Sequence, residues 1–100
     1  MIDDNQIACE IVLQCRKLNP GVTLCPSEVA RALTPDSEAW SPLMPAVRRV
    51  AAVLAREGLI VATQRGVRID AKAAHGPIRL ALCVNPVDLR AALKRITVKG

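Results

Sequence analysis

Between Leu24 and Gly58 the chain reads LCPSEVARALTPDSEAWSPLMPAVRRVAAVLAREG, and this stretch limits the possible folds more than any other. Pro26 suits the first turn of a short helix, where its missing N–H costs nothing. Cys25 falls at the cap with Glu28 three residues on, a capping-box spacing that Cys completes less well than Ser or Thr. Val29, Ala30 and Leu33 supply the buried side of this helix, which ends before Thr34 and Pro35. An acidic loop leads to Trp40, and Ser41 and Pro42 open a longer helix. Pro45 removes its first interior hydrogen bond, so the opening turn is expected to be irregular, with regular helix from about Pro45. From there Val47, Val50, Ala51 and Leu54 form an apolar stripe headed by Leu43, while Arg48, Arg49, Ala52 and Arg56 lie largely off it. Gly58 stops the helix as a left-handed cap.

The flanking segments complete a module around that helix pair. A first helix is expected from a cap at Asp4 or Asn5 to about Leu18, with Ile7, Ile11, Cys15 and Leu18 at helical spacing. Val22 to Leu24 is long enough only for a short strand, of the kind that pairs against a wing. Leu59–Thr63 and Val67–Asp70 read as strands around an Arg65-Gly66 turn, placing Ile60, Ala62, Val67 and Ile69 on one side. Asp70 is positioned to cap one helical turn, Ala71–His75, closed by Gly76. Pro77–Val84 alternates as a further strand, and Asn85, Pro86 and Asp88 open a last helix. The resulting class is mainly α with a small β-hairpin (α+β): a winged helix-turn-helix with a three-helix core, a wing, an extra strand and a C-terminal helix. One hundred residues make a single domain, 1–100, with the helix-turn-helix at about 26–57, the wing at about 59–70 and the C-terminal helix at about 86–96.

Charge narrows the partner. Residues 1–38 carry three basic and six acidic groups, whereas residues 39–100 carry eleven basic and three acidic. The positive portion, net +8, begins with the second helix of the pair. Such asymmetry favours a polyanionic partner over none. Trp40 is the only aromatic residue, so the chain lacks the platform on which single-strand and RNA binders stack bases.

Several motifs carry a family resemblance: CPSEVARAL at 25–33, W-x-x-LMPAVR at 40–48, VATQRG-x-x-ID at 61–70 and GPIRL at 76–80. In order, they resemble a family of small bacterial proteins catalogued as a domain of unknown function, whose fold is similar to winged helix. The resemblance spans roughly residues 7–82 and implies a fold; it brings no catalytic or ligand residues with it.

Site chemistry is sparse. Cysteines 9, 15, 25 and 83 lack the paired spacing of a zinc site, and His75 is the only histidine, so no metal or cofactor is expected. Cys15 reads as a small core residue. Cys25 lies at a helix start, where a thiolate is favoured, so a redox role stands beside the commoner structural one. There is no phosphate-cradling glycine loop, no dinucleotide fingerprint and no clustered acid, base and nucleophile, which makes an enzyme the disfavoured class. With no signal-peptide pattern and no membrane-length apolar run, a cytoplasmic protein with reduced thiols is expected.

The reading with most physical content is a DNA-binding winged helix, such as a small transcriptional regulator, in which double-stranded DNA meets the second helix of the motif and the wing. Arg48, Arg49 and Arg56 on that helix and Gln64, Arg65 and Arg68 on the wing are the candidate contacts. The alternative is a protein-interaction module, using the apolar faces of its first or last helix in a homodimer or larger assembly.

Overall fold

The computed structural model describes residues 2–19, 21–35 and 39–83. Three helices precede three strands: α1 (Asp4–Arg16), α2 (Pro26–Leu33), a 3-10 turn (Ser41–Leu43) running into α3 (Met44–Arg56), then β1 (Ile60–Gln64), β2 (Val67–Arg68) and β3 (Arg79–Leu82). The fold is α+β, compatible with a small winged-helix-like architecture. The C-terminal helix expected at 86–96 lies outside the described residues.

Local chemistry explains each helix end. The α1 cap is Asp3, one residue earlier than expected, because Asp3 and Gln6 have the spacing for a reciprocal box. Asp3 Oδ1 accepts from the Gln6 N–H at 2.9 Å, and Gln6 Oε1 accepts from the Asp3 N–H at 3.0 Å. The helix then stops at Arg16 rather than Leu18. At α2 the Glu28 carboxylate accepts from the Cys25 N–H at 2.9 Å. The prolines at 42 and 45 leave the entry to α3 as a single 3-10 turn, held by Leu43 N–H to Trp40 O at 3.0 Å, before the α-helix begins.

Gly58 (φ 80°) closes α3 in a Schellman motif. The Gly58 N–H donates to Ala55 O and the Leu59 N–H to Leu54 O, with both leucines fully buried. The stripe Val47, Val50, Ala51 and Leu54 is buried as expected. Ala52 is buried too, although helical phase places it off the stripe. A second layer therefore covers α3 on that side, and the buried Ala71, which lines the same depression, marks where the chain after the wing returns to it.

The sheet is antiparallel in the order β2-β1-β3. Gln64 pairs with Val67 and Thr63 with Arg68, the register set by a two-residue turn at Arg65 and Gly66. That hairpin is short, however, and its Val67 is 64% exposed instead of facing the core. The main partner of β1 is β3, from Ile60↔Leu82 to Thr63↔Arg79. The short strand before α2 contracts to one bridge, Leu24↔Leu80, and so pairs with β3 rather than with the hairpin. Asp70 caps a single turn, as expected: its backbone O accepts from the Ala74 N–H at 2.9 Å, the i→i+4 bond of one helical turn, and its carboxylate accepts from the Lys72 N–H at 2.9 Å.

The core is aliphatic. Ile7, Ile11, Val29, Val47, Val50, Leu54, Leu59, Ile60, Ile78 and Leu80 fill it, and alanines on α1 and α3 let the helices approach closely. Among the described residues, no polar or charged side chain is buried.

Candidate functional site

Six cationic or amide side chains stand out from sequence, and the fold divides them by what their donors already hold. Arg48 is half-buried, reaching from α3 to the loop after the wing, where it donates to Ala74 O at 2.8 Å and to Gly76 O. Gln64 does similar work from β1, its amide donating to His75 O and, at 3.2 Å, to Pro77 O. These two side chains pin one loop, residues 74–77, from both sides. Backbone carbonyls that no strand or helix uses need such donors.

Arg49 is exposed on α3 but engaged. Its guanidinium forms a bidentate pair with Asp4 at the start of α1, at 2.6 and 2.8 Å. The hydrogen bonds and charge of Arg49 hold the Asp4 carboxyl below its ordinary 3.8, while the same contacts raise Arg49. The side chains of Arg56, Arg65 and Arg68 are exposed and make no hydrogen bond or ion pair with the described residues.

Two open depressions lie along α3 and bring most of these groups together. One, of about 370 Å³, has an apolar floor that includes Ala52, Ile60 and Ile69 and is bordered by Arg56, Arg68 and Asp70. The other, of about 690 Å³, runs beside the first turns of α3 over Pro42, Met44 and Pro45, with Arg48, Arg49 and Lys72 around it. Arg48 and Arg49 thus flank one depression and Arg56 and Arg68 the other, while Arg65 sits at the hairpin tip with φ 53°. Lys72 joins the group from the returning loop. Neither it nor Asp4 stands out in sequence, since each meets α3 only through tertiary packing.

Other polar contacts are structural. Arg79 on β3 donates to Thr23 Oγ1 at 2.8 Å and Thr23 O at 2.9 Å, clasping the strand before α2. The Arg31 guanidinium lies 4.6 Å from the Trp40 ring centroid, stacking α2 on the entry to α3. All four cysteines are free. Cys15 is buried on α1, and burial pushes its thiol up to about 11. Cys25 Sγ lies 3.0 Å from Ser27 Oγ. Among the described residues, no three His, Cys, Asp or Glu converge as a metal site would require, and no helix is long and apolar enough to cross a membrane.

None of the curated proteins compared with the chain matches it. A family model does, over residues 4–83, from the first residue of α1 to the end of the sheet. The chain belongs to that family, described as a protein of unknown function, DUF3253.

Proposed function

We propose that this chain is a non-catalytic winged-helix module that binds double-stranded DNA, with Arg49, Arg56, Arg65 and Arg68 as its phosphate contacts. The observation that carries the reading is the seam of cations along α3, where Arg49 and Lys72 border one depression and Arg56 and Arg68, with Asp70 beside them, border the next. The position of Arg65 adds to it. An L-residue other than Asn or Asp is costly at positive φ, and a turn of this kind favours Asn-Gly. A charged residue held in such a conformation at an exposed tip fits a binding role.

The α3 entry argues for backbone recognition rather than base reading. Pro42, Met44 and Pro45 occupy the turn that would meet base edges, and they offer no paired donors for guanine or adenine. Arg48 and Gln64 act mainly by holding the 74–77 loop in place. Weak sequence preference follows, with affinity supplied by phosphates. A role as a small bacterial transcriptional regulator belongs to this same proposal.

The test is titration of mixed-sequence duplexes from low to high salt. Tight low-salt binding with a steep linear loss in log affinity supports the reading; no binding at low salt, or a flat response, ends it. A protein-interaction module remains the second reading, favoured by Leu13, which is 50% exposed on α1. Single exposed leucines are common on monomers, so this carries less weight. Self-association in sedimentation, without DNA binding, would support it.

A further inference from the structure

We propose that Asp4 is a competitor for the DNA phosphate at Arg49: the first turn of α1 places a carboxylate on the guanidinium that duplex DNA must take over. The inference rests on the DNA-binding reading and concerns how that surface is restrained.

Three observations point to it. The pair is bidentate, at 2.6 and 2.8 Å, which is the same fork geometry by which arginine grips a phosphate. Both side chains are about half exposed, 49% for Arg49 and 47% for Asp4, so the contact is open to an incoming anion. Asp4 is also spared any capping duty, because Asp3 already accepts from the Gln6 N–H. Its carboxylate does complement the α1 N-terminus, but that benefit survives when Arg49 departs.

Energetics make the contact a soft restraint. Exposed ion pairs are weak, and exchanging one oxyanion for another conserves the hydrogen bonds of the guanidinium. A phosphate on a duplex brings the neighbouring contacts of Arg56, Arg65 and Arg68 with it, which a lone carboxylate cannot match. Asp4 therefore lowers affinity without abolishing binding. It does so most for single, short contacts and least for a long duplex engaged along the whole seam.

The experiment uses the full chain and a mixed 20-base-pair duplex at low salt, with wild type, Asp4→Asn, Asp3→Asn, Arg49→Gln and the double variant Asp4→Asn/Arg49→Gln. Asp3→Asn removes the same charge one residue away and keeps a good helix cap. Asp4→Asn is expected to tighten binding roughly two- to fivefold, the scale of an exposed pair. Asp3→Asn should tighten it less than twofold, and Asp4→Asn should gain nothing in the Arg49→Gln background. Equal gains from Asp4→Asn with and without Arg49 would mean a general charge effect and overturn the proposal. So would an unchanged affinity for Asp4→Asn where wild type binds. Absence of binding by wild type and Asp4→Asn alike removes the DNA-binding reading itself, a result distinct from either.

Discussion

Arg48 shows how a residue type that suggests ligand binding can be absorbed by the fold. Its guanidinium holds two loop carbonyls, so Arg48→Ala leaves Ala74 O and Gly76 O without their donor. A loss of about 1–2 kcal/mol in urea unfolding is expected, against little change for Arg65→Ala at the exposed tip. An equal effect from the two variants would contradict the assigned roles. Asp4 makes the pH prediction at this scale. Its folded pKa lies below its unfolded value, so its stabilising contribution is fully present above about pH 4 and is lost as pH falls through the folded pKa. The pair is solvent-screened and contributes at most about 1 kcal/mol. The stabilities of Asp4→Asn and wild type should therefore differ slightly above about pH 5 and converge as pH falls through the folded Asp4 pKa, as acid unfolding would show. Cys15, raised to about 11, should resist alkylation at pH 8 in the folded chain while the exposed Cys9 reacts, as mass mapping would show.

Elements in this protein are bounded by specific turn chemistry. Gly58 at φ 80° lets α3 turn directly into β1, and Ala there must adopt a left-handed conformation. Gly58→Ala should cost about 1–2 kcal/mol by thermal or urea unfolding, and a neutral result would contradict the Schellman assignment. The wing turn behaves oppositely. Arg65→Asn replaces a strained residue with one that tolerates positive φ, so a gain of up to about 1 kcal/mol in stability is expected. On the proposed function the same change weakens duplex binding. Stability and affinity moving in opposite directions would identify Arg65 as a residue retained for contact, and parallel changes would remove that role. At the start of α3, the two prolines shape the helix entry and also blunt it as a reading surface.

At the scale of the molecule, the question is how many charges act together. Of the six residues singled out from sequence, Arg48 and Gln64 are engaged with the backbone and Arg49 with Asp4, while three stay exposed without such partners among the described residues. If Arg49 exchanges partners, four contacts form with the duplex. The expected slope of log affinity against log salt is then ~−4, falling by about one for Arg68→Ala. A slope near that of Arg68→Ala in the wild type would show that the wing does not engage.

How much was legible beforehand depended on the range of the interaction. The helix-loop-helix, the Arg65-Gly66 turn, the Gly58 cap and the later strand are written in local spacing, because caps, prolines and apolar periodicity act within a few residues. Even the Asp3–Gln6 box is local, although Asp3, Asp4 and Asn5 offer three adjacent cap acceptors and only the spacing to Gln6 favours the first. The family motifs from Cys25 to Leu80 reinforced the same elements. The partner of β1 was not legible, since β2 and β3 both alternate and only tertiary packing favours Leu80 over Val67 as the buried neighbour. Nor was the burial of Ala52, which depends on a loop returning from twenty residues downstream. The candidate site divides in the same way. Sequence by itself determined that cations collect on α3 and the wing, because their phase and turn positions are local. Only the tertiary structure decided which remain open to a partner, because Asp4, Ala74 and Gly76 reach those arginines from 26 to 45 residues away in the chain.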